Sequence, residues 1–110
     1  MTAQLSLSVT RHGRTTVVGL AGEIDIATAD LVAGMLKELI RMGHTTLALD
    51  ASGVRFCDST GLEALLQTHD EAWKAGGGLR LIGVHGALGR VLDLTGCRQV
   101  FEMDDMALAG

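Results

Sequence analysis

Segments in which apolar residues recur at strand spacing alternate along the chain with segments in which they recur at helical spacing. The order of these segments is compatible with few folds. Residues 5–9 alternate apolar and polar side chains, as a half-buried strand does, and residues 15–21 form a second extended run after the turn signal His12-Gly13. The apolar positions then change to helical spacing. They are Leu31, Val32, Met35, Leu36, Leu39 and Ile40, with Gly43 following as a C-terminal cap. We therefore predict an antiparallel hairpin followed by a helix.

The alternation continues to the end of the chain. Residues 46–49 form a short apolar run that is typical of a strand in the middle of a sheet. A second helix ends at Gly76-Gly77-Gly78, a strand follows at residues 79–84, and a third helix is closed by Gly96. The second helix carries one stripe made of Leu62, Leu65, Leu66, His69 and Trp73, and the third is marked by Leu88, Val91 and Leu92. We expect a last extended piece from Val100 and one more helical turn within residues 104–110.

The order β-β-α-β-α-β-α-β predicts an α/β fold in one domain, residues 1–110. Its sheet should be mixed but mainly parallel, with four to five strands and an N-terminal antiparallel hairpin. Because crossovers between parallel strands are right-handed, strands added one after another place the helices mainly on one face. The other face stays thinly covered, which leaves it open to a partner or to a weak homodimer.

The composition argues against several classes of function, because the features that these functions need are absent from the sequence. The formal net charge is -4 with no cluster of Lys and Arg, and aromatic residues make up only 3%, so we expect no direct nucleic-acid binding. No apolar run approaches the ~20 residues of a membrane span, and the first four residues lack a signal-peptide pattern. These observations favour a cytoplasmic protein without a membrane partner. Cys57 and Cys97 have no pairing motif, which indicates free, mostly buried thiols.

The common motifs of catalysis are missing from the sequence. Its four histidines (His12, His44, His69 and His85) lack ligand spacing, so no metal site is expected, and there is no nucleophile elbow or P-loop. The spacing Gly83-x-x-Gly86-x-x-Gly89 precedes a helix but lacks the G-x-G core of a dinucleotide fingerprint. Nucleotide binding there is a minor alternative. We predict no cofactor and no enzyme activity.

A polar segment, Asp58-Ser59-Thr60-Gly61, lies where a central strand and its loop (residues 47–57) pass into the second helix. Unpaired N–H groups and the positive end of the helix dipole would stabilise a phosphate on Ser59 there. Asp58 is placed to orient the hydroxyl or to help hold a metal-nucleotide during transfer, and Gly61 lets another backbone approach closely. A purely structural role is the alternative, because Asp, Ser and Thr are good N-caps and Thr60-Gly61-Leu62-Glu63 matches a capping box. The spacing leaves both interpretations open.

The segment Gly22-Glu23-Ile24-Asp25 holds the equivalent position before the first helix. Its strand and the next one are predicted neighbours, so Asp25 should share one end of the sheet with Asp58 and Ser59, where open α/β sheets usually place their sites. An acidic surface of Asp25, Asp58 and Glu23 would attract a basic partner, and a phosphate on Ser59 would add about -1.5 to -2 charges to it. Alternatively, Asp25 only caps the first helix.

Four segments of the chain resemble the STAS domains of anti-sigma factor antagonists. They are residues 20–25 (LAGEID), 48–50 (ALD), 56–62 (FCDSTGL) and 92–96 (LDLTG), the last followed by Val100-Phe101. The similarity keeps the family's order and spacing over nearly the whole chain. The resemblance is therefore more specific than any one motif.

The resemblance implies a phosphorylation switch. In this family the unphosphorylated antagonist binds an anti-sigma factor that is also a serine kinase, which frees the sigma factor. The kinase then phosphorylates the antagonist, the complex separates, and a serine phosphatase resets it. By position, Ser59 matches the phospho-acceptor and Asp58 the acid that supports transfer, while Asp25 and Glu23 match the loop facing the kinase. Thr60 stands where many relatives have a second Ser.

The resemblance also leaves an alternative open. Some STAS domains are subunits of lipid-transport ATPase complexes or of stress-signalling scaffolds, and such relatives can lack a usable acceptor Ser. This chain keeps Asp58-Ser59, which favours the antagonist. Cys57, directly before the Asp, departs from the family pattern, and a redox role for it is a further hypothesis.

Overall fold

The computed structural model describes residues 5–104, and within them five strands form one sheet in the order in which they occur along the chain. The elements are β1 (Leu5–His12), β2 (Thr15–Ile24), α1 (Ala29–Arg41), β3 (Thr46–Cys57), α2 (Ser59–Lys74), β4 (Gly78–Ile82), α3 (Gly86–Thr95), a 3-10 turn (Arg98–Val100) and β5 (Glu102–Asp104). β1 pairs antiparallel with β2, and the other three pairings are parallel. The predicted α/β fold and mixed sheet are confirmed.

The three helices cover one face of this sheet, as predicted. Along β2, Val18, Leu20 and Ile24 are buried against them, whereas Ala21 and Glu23 on the alternate positions are exposed. This period of two is the pattern of a sheet that is packed on one side only. The opposite face is lined by small and polar side chains from β1, β2 and β3. Self-association through that face stays a prediction.

β3 is longer than the sequence pattern indicated. We predicted a strand at residues 46–49 and a loop up to Cys57, but the strand runs without a break to Cys57. Its pairing with β2 shifts register twice, after Gly19 and after Gly22. Such bulges add residues to one strand and interrupt the period of two, which hides the strand in the sequence. The consequence is that β3 leads directly into α2 with only Asp58 between them.

The helices bury only part of the stripes that their spacing predicted. In α2, Leu62 and Leu65 are buried as expected, but Trp73 is 69% exposed, so its predicted place on the core stripe is wrong. Toward the end of α2 the buried positions are the small residues Thr68 and Ala72, so the face that packs on the core passes through them and not through Trp73.

Glycines end the helices as the sequence predicted. Gly96 follows α3 in the left-handed conformation, with φ at 71°, and Gly43 and Gly76 also have positive φ after α1 and α2. Only glycine adopts this conformation without strain. Of the helical turn predicted for residues 104–110, Asp104 belongs to β5, and residues 105–110 lie outside the described part of the chain.

Candidate functional site

Asp58 connects β3 to α2 as the N-cap residue of the helix. Its backbone is extended, and its carboxylate Oδ1 accepts a hydrogen bond from the N–H of Gly61 at 2.9 Å. Its own N–H donates to the carbonyl oxygen of Ile24 at 3.3 Å, and its carbonyl accepts from Leu62 N–H at 2.9 Å. The structural alternative is confirmed in that an Asp of this segment caps the helix. The capping box at residues 60–63 is wrong, because the helix begins at Ser59 and the Asp58 carboxylate accepts from its third N–H.

Ser59 is the first residue of α2, and its side chain is exposed. Among the residues that the structure describes, none forms a hydrogen bond with its hydroxyl, and the Asp58 carboxylate bonds to Gly61 instead. The neighbouring Thr60 is half-buried. The Ser59 hydroxyl is thus accessible to a reagent or to another protein.

Gly61 lies close to β2 at the start of α2. A Cβ atom at this position would lie 2.5 Å from the carbonyl oxygen of Ile24 and 3.0 Å from Sγ of Cys57. Any other side chain would have to displace backbone atoms of β2. The absence of a side chain at Gly61 therefore sets the distance between the start of α2 and the sheet.

The β2–α1 junction is closed by Asp25 and Thr28. The Asp25 carboxylate accepts from the N–H of Ala27 at 2.9 Å, and its backbone N–H donates to the hydroxyl oxygen of Thr28 at 3.0 Å. The same hydroxyl donates to the carbonyl oxygen of Glu23 at 2.8 Å and is buried. Thr28, not Asp25, is the N-cap residue of α1, so the alternative of Asp25 as a helix cap is wrong.

The two junctions meet at one end of the sheet. Ile24 pairs with Cys57, so the residues that follow them, Asp25 and Asp58, leave neighbouring strands side by side. Glu23 pairs with Phe56 one position earlier, and both of these side chains are exposed. Within residues 5–104, none of the three carboxylates forms a salt bridge. We name Glu23, Asp25, Asp58 and Ser59 the acidic end.

Cys57 is buried directly beneath the acidic end. Burial raises the pKa of its thiol to about 12, and the negative charge of Asp58 acts in the same direction. Its Sγ donates a weak hydrogen bond to the Asp58 carbonyl oxygen at 3.5 Å. The thiolate is the form that reacts with oxidants, so a buried neutral thiol argues against the redox hypothesis for Cys57. Cys97 is also free and only partly buried.

The glycine-spaced segment that raised the nucleotide alternative forms the β4–α3 loop. Gly83 lies in the loop and Gly86 is the first residue of α3, both with positive φ, whereas Gly89 lies inside α3. Nε2 of His85 lies 2.8 Å from the carbonyl oxygen of Ser52, which joins the loop to β3. Nucleotide binding at this loop stays a minor alternative. In the described range, no group of three His, Cys, Asp or Glu side chains is placed to hold a metal ion.

Two residues of this end were missed in the sequence. Thr28 holds the β2–α1 loop through its buried hydroxyl, and the signal was its place three residues after Asp25, which allows mutual side chain–backbone hydrogen bonds. Phe56 is 43% exposed at the end of β3, next to Glu23. It was not singled out because the bulged strand hides which face its side chain takes.

Comparison with known proteins gives consistent matches. The STAS domain model matches residues 6–107. The chain is 28% identical over 106 residues to the anti-sigma-B factor antagonist of Bacillus subtilis, covering 96% of each chain. It is 26% identical over 102 residues to the anti-sigma F factor antagonist of Paenibacillus polymyxa, covering 92% of this chain and 87% of the relative.

A solved structure matches the whole architecture. The crystal structure of an anti-sigma factor antagonist from Mycobacterium paratuberculosis superposes with a TM-score of 0.83 at 27% identity, over 94% of this chain and 87% of the other. Across the described residues, every helix is too short or too polar to cross a membrane.

Proposed function

The chain belongs to the STAS domain family, and from that membership we propose that it is an anti-sigma factor antagonist switched by phosphorylation of Ser59. The unphosphorylated chain binds an anti-sigma factor that is also a serine kinase and so releases the sigma factor. Phosphorylation of Ser59 by that kinase ends the complex, and a serine phosphatase restores the binding form. In this proposal the chain acts in the cytoplasm as a binding module and catalyses nothing itself.

The observation that supports the proposal most directly is the exposure and the hydrogen bonding of the Ser59 hydroxyl. It is exposed at the first position of α2 and bonded to no described residue, while the adjacent carboxylate is fixed by the N–H of Gly61. A kinase needs an acceptor hydroxyl that it can reach. The Asp58 cap fixes the start of α2 without using the Ser59 hydroxyl.

The helix start also accommodates the product. The first N–H groups of a helix have no partner within the helix, and the Asp58 carboxylate bonds only to that of Gly61. The positive end of the helix dipole therefore still favours a phosphate on Ser59. We expect phosphorylation to leave the fold of α2 intact.

The same phosphate weakens the complex through charge and desolvation. It adds about -1.5 to -2 charges next to the Asp58 carboxylate, within an acidic end that already contains Asp25 and Glu23. A partner that covers Ser59 would have to bury this dianion away from water, and burying a charge without a matching partner group is costly. The hydroxyl form carries no such cost. Partner binding and phosphorylation are therefore expected to exclude each other.

The supporting residues have separate roles in this proposal. Asp58 positions the acceptor and keeps the helix start rigid, and Gly61 allows the partner and β2 to approach the first turn of α2. Asp25 and Glu23 present negative charge to a basic surface of the kinase. Thr60 is a candidate second acceptor, but its side chain is half-buried where that of Ser59 is exposed.

The test is affinity purification from the source cells with three tagged forms: wild type, Ser59→Ala and Ser59→Asp. Ser59→Ala should retain a kinase-type anti-sigma factor, and Ser59→Asp should lose it by at least about tenfold, which corresponds to about 1.4 kcal/mol of binding free energy. The purified kinase and ATP should add one phosphoryl group to wild type, read by intact mass. Thr60→Ala is the matched control and should be phosphorylated like wild type.

Two outcomes would contradict the proposal. Phosphate that persists on Ser59→Ala would move the acceptor to another residue. Co-purification of a transport ATPase or a signalling scaffold, in place of an anti-sigma factor, would support the alternative STAS functions.

A further inference from the structure

β1 forms one edge of the sheet, and its outer side is open along its whole length. The strand runs for eight residues, Leu5–His12, and pairs with β2 in one unbroken register. Within residues 5–104, no other strand pairs with it, so about half of its N–H and carbonyl groups point away from the sheet. An edge of this kind is a template for pairing with a further strand.

β1 lacks the features that usually keep a strand edge from pairing. Those features are short length, Pro, bulges and charged side chains. The strand contains no Pro and no shift in register, and its one Arg, Arg11, stands next to its last residue. The opposite edge differs, because β5 has only three residues, Glu102–Asp104, of which two are acidic. Of the two edges in the described sheet, β1 is therefore the one suited to pairing.

Apolar side chains lie beside this edge on the face of the sheet that the helices cover. Leu7 is in register with the buried Leu20 of β2, so alternate residues of β1 point to that face. These alternate residues are Leu5, Leu7 and Val9. Leu5 and Leu7 are only half-buried, and Val9 is 47% exposed. The hydrophobic core is therefore incompletely covered along β1.

α1 adds two exposed apolar side chains on the same side of the molecule. Lys37 forms an ion pair with Glu71 at 3.6 Å, which identifies the flank of α1 that faces α2. Met35 lies about 160° around the helix from Lys37, and Leu31 lies one turn before Met35. They are 37% and 53% exposed. Because α2 contacts β4, the flank of α1 that faces away from α2 lies on the side of β1.

We name five residues of β1 and α1 the apolar strip: Leu5, Leu7, Val9, Leu31 and Met35. We propose that β1 pairs antiparallel with β1 of a second copy of this chain, which joins the two sheets into one across a two-fold axis. The strips of the two copies then cover each other on the helix side. This inference concerns the edge of the sheet and goes beyond the proposed switch at its acidic end.

A second copy fits the edge because the pattern of β1 is self-complementary. In an antiparallel pair with Leu7 opposite the partner's Leu7, Leu5 lies opposite the partner's Val9. Ser6 then lies opposite the partner's Ser8 on the other face. Apolar side chains meet apolar ones and hydroxyls meet hydroxyls, which is how the pleat specifies a register.

The charges near the edge permit this contact. The chain has a net charge of -4, so two copies repel each other in general, but β1 contains no acidic residue. On α1, Glu38 is the acidic side chain nearest to Leu31 around the helix, and it is bonded to Nε of Arg41 at 3.0 Å. Two copies can therefore approach along β1 without unpaired carboxylates facing each other there.

The geometry also limits the size and the strength of the assembly. Pairing uses the β1 edge of both copies, so the joined sheet ends in two β5 edges and the contact closes as a dimer. Each copy contributes one strand edge and the apolar strip, which is a small interface. We expect a dissociation constant of about 10 to 100 μM, as is usual for small, transient contacts.

The test is sedimentation equilibrium of the full chain from about 1 μM to about 500 μM. Wild type should pass from monomer to dimer, and no larger species should form. Val9→Lys adds a charge to the edge and should weaken dimerisation at least about tenfold. Leu94→Lys is the matched control, because Leu94 is 86% exposed on α3 outside the apolar strip, and it should dimerise like wild type. Circular dichroism checks that each variant is folded.

A second variant and NMR spectra locate the contact. Met35→Lys changes the helix part of the apolar strip and leaves β1 untouched, and it should also weaken the dimer. Amide signals of residues 5–9 should shift with protein concentration, and the outward amides of β1 should exchange more slowly in the dimer. Ser59→Asp should dimerise like wild type, so the edge contact and the phosphorylation switch succeed or fail independently.

Three results would overturn the proposal. The first is a monomer at every concentration up to about 500 μM. The second is a dimer that Val9→Lys and Leu94→Lys weaken equally, which would remove β1 from the interface. The third is a concentration-dependent shift confined to Gly19, Ala21 and Gly53, which would assign the contact to the face of the sheet opposite the helices.

Discussion

Two strand-to-helix junctions lie side by side in this sheet, and they use the same kinds of residues in opposite ways. At the β2–α1 junction, the hydroxyl of Thr28 is buried and bonded to Asp25 and Glu23. At the β3–α2 junction, the hydroxyl of Ser59 is exposed and bonded to no described residue, because Asp58 closes the turn by itself. The Thr28 hydroxyl stabilises its junction through hydrogen bonds, whereas the Ser59 hydroxyl is accessible for a reaction.

The difference comes from the length of the connection. β2 and α1 are separated by a four-residue loop, residues 25–28, whose backbone groups need partners. The Thr28 hydroxyl bonds to the N–H of Asp25 within this loop and to the carbonyl of Glu23 just before it. Between β3 and α2 there is only Asp58, whose carboxylate accepts from the Gly61 N–H and whose backbone bonds to Ile24 and Leu62. Because this connection is so short, the fold needs no hydrogen bond from the hydroxyl of Ser59, the residue that follows it.

The largest effect should come from the contact that fixes the second junction. Gly61→Ala places a Cβ against the Ile24 carbonyl oxygen, and we expect it to lower the free energy of unfolding by about 3 kcal/mol, as overpacking does. Gly34→Ala is the matched control, because a Cβ there meets nothing within 4 Å. A helical Gly→Ala change in open space should stabilise α1 by up to about 1 kcal/mol. Urea unfolding measures both, and equal stability of the two variants would contradict the close approach.

The buried hydroxyl of the first junction should have the next largest effect. Thr28→Val keeps the shape of the side chain but leaves the N–H of Asp25 and the carbonyl of Glu23 without their partner. We expect a loss of about 2 kcal/mol of unfolding free energy. Thr28→Ser, which retains the hydroxyl, should lose clearly less in the same urea experiment. Similar losses in both variants would mean that the methyl group, not the hydrogen bonds, holds this loop.

Removal of the second junction's cap should cost less than removal of the buried hydroxyl. Asp58→Ala deletes the acceptor for the Gly61 N–H and should destabilise by about 1 kcal/mol, the usual cost of losing an N-cap. Asp58→Asn is the control, since Asn caps about as well without the charge. Thermal unfolding followed by circular dichroism separates the two. If Asn destabilised as much as Ala, the negative charge and not the cap would be the stabilising feature.

Ser59→Ala should have the smallest effect on stability, below about 0.5 kcal/mol, because an exposed hydroxyl without a partner contributes little. The contrast with Thr28→Val, measured under identical conditions, is the direct test of the comparison between the junctions. A loss at Ser59 as large as that at Thr28 would show that its hydroxyl has a structural role after all.

The order of the elements could be predicted from the sequence because each one carries a local signal. The apolar run at residues 46–49 and the helical spacing of residues 31–40 depend only on neighbouring side chains, and glycines mark the helix ends. Once the strands are taken to add one after another, the placement of the helices on one face follows from the handedness of the crossovers. These signals were sufficient for the fold class and for which side chains share one end of the sheet.

The failures concern features that depend on contacts between elements. The length of β3 was underestimated because its register shifts are determined by pairing with β2. The burial of Trp73 was overestimated because helical spacing cannot tell how far the sheet extends beneath α2. The capping box was placed too far along the chain because the sequence does not show that Asp58 alone spans the connection. Each error arose where a tertiary contact overrides a local pattern.

The sequential order of the strands has a consequence for how the chain reaches its fold. Each strand pairs with the strand made just before it, so no strand has to insert between two that are already joined. Contacts that are close in sequence close short loops at low entropic cost and speed folding. We expect the sheet to grow from its N-terminal hairpin while the chain is still being synthesised. The three-residue β5 is then the last strand to pair, and its removal would leave the other four strands in register.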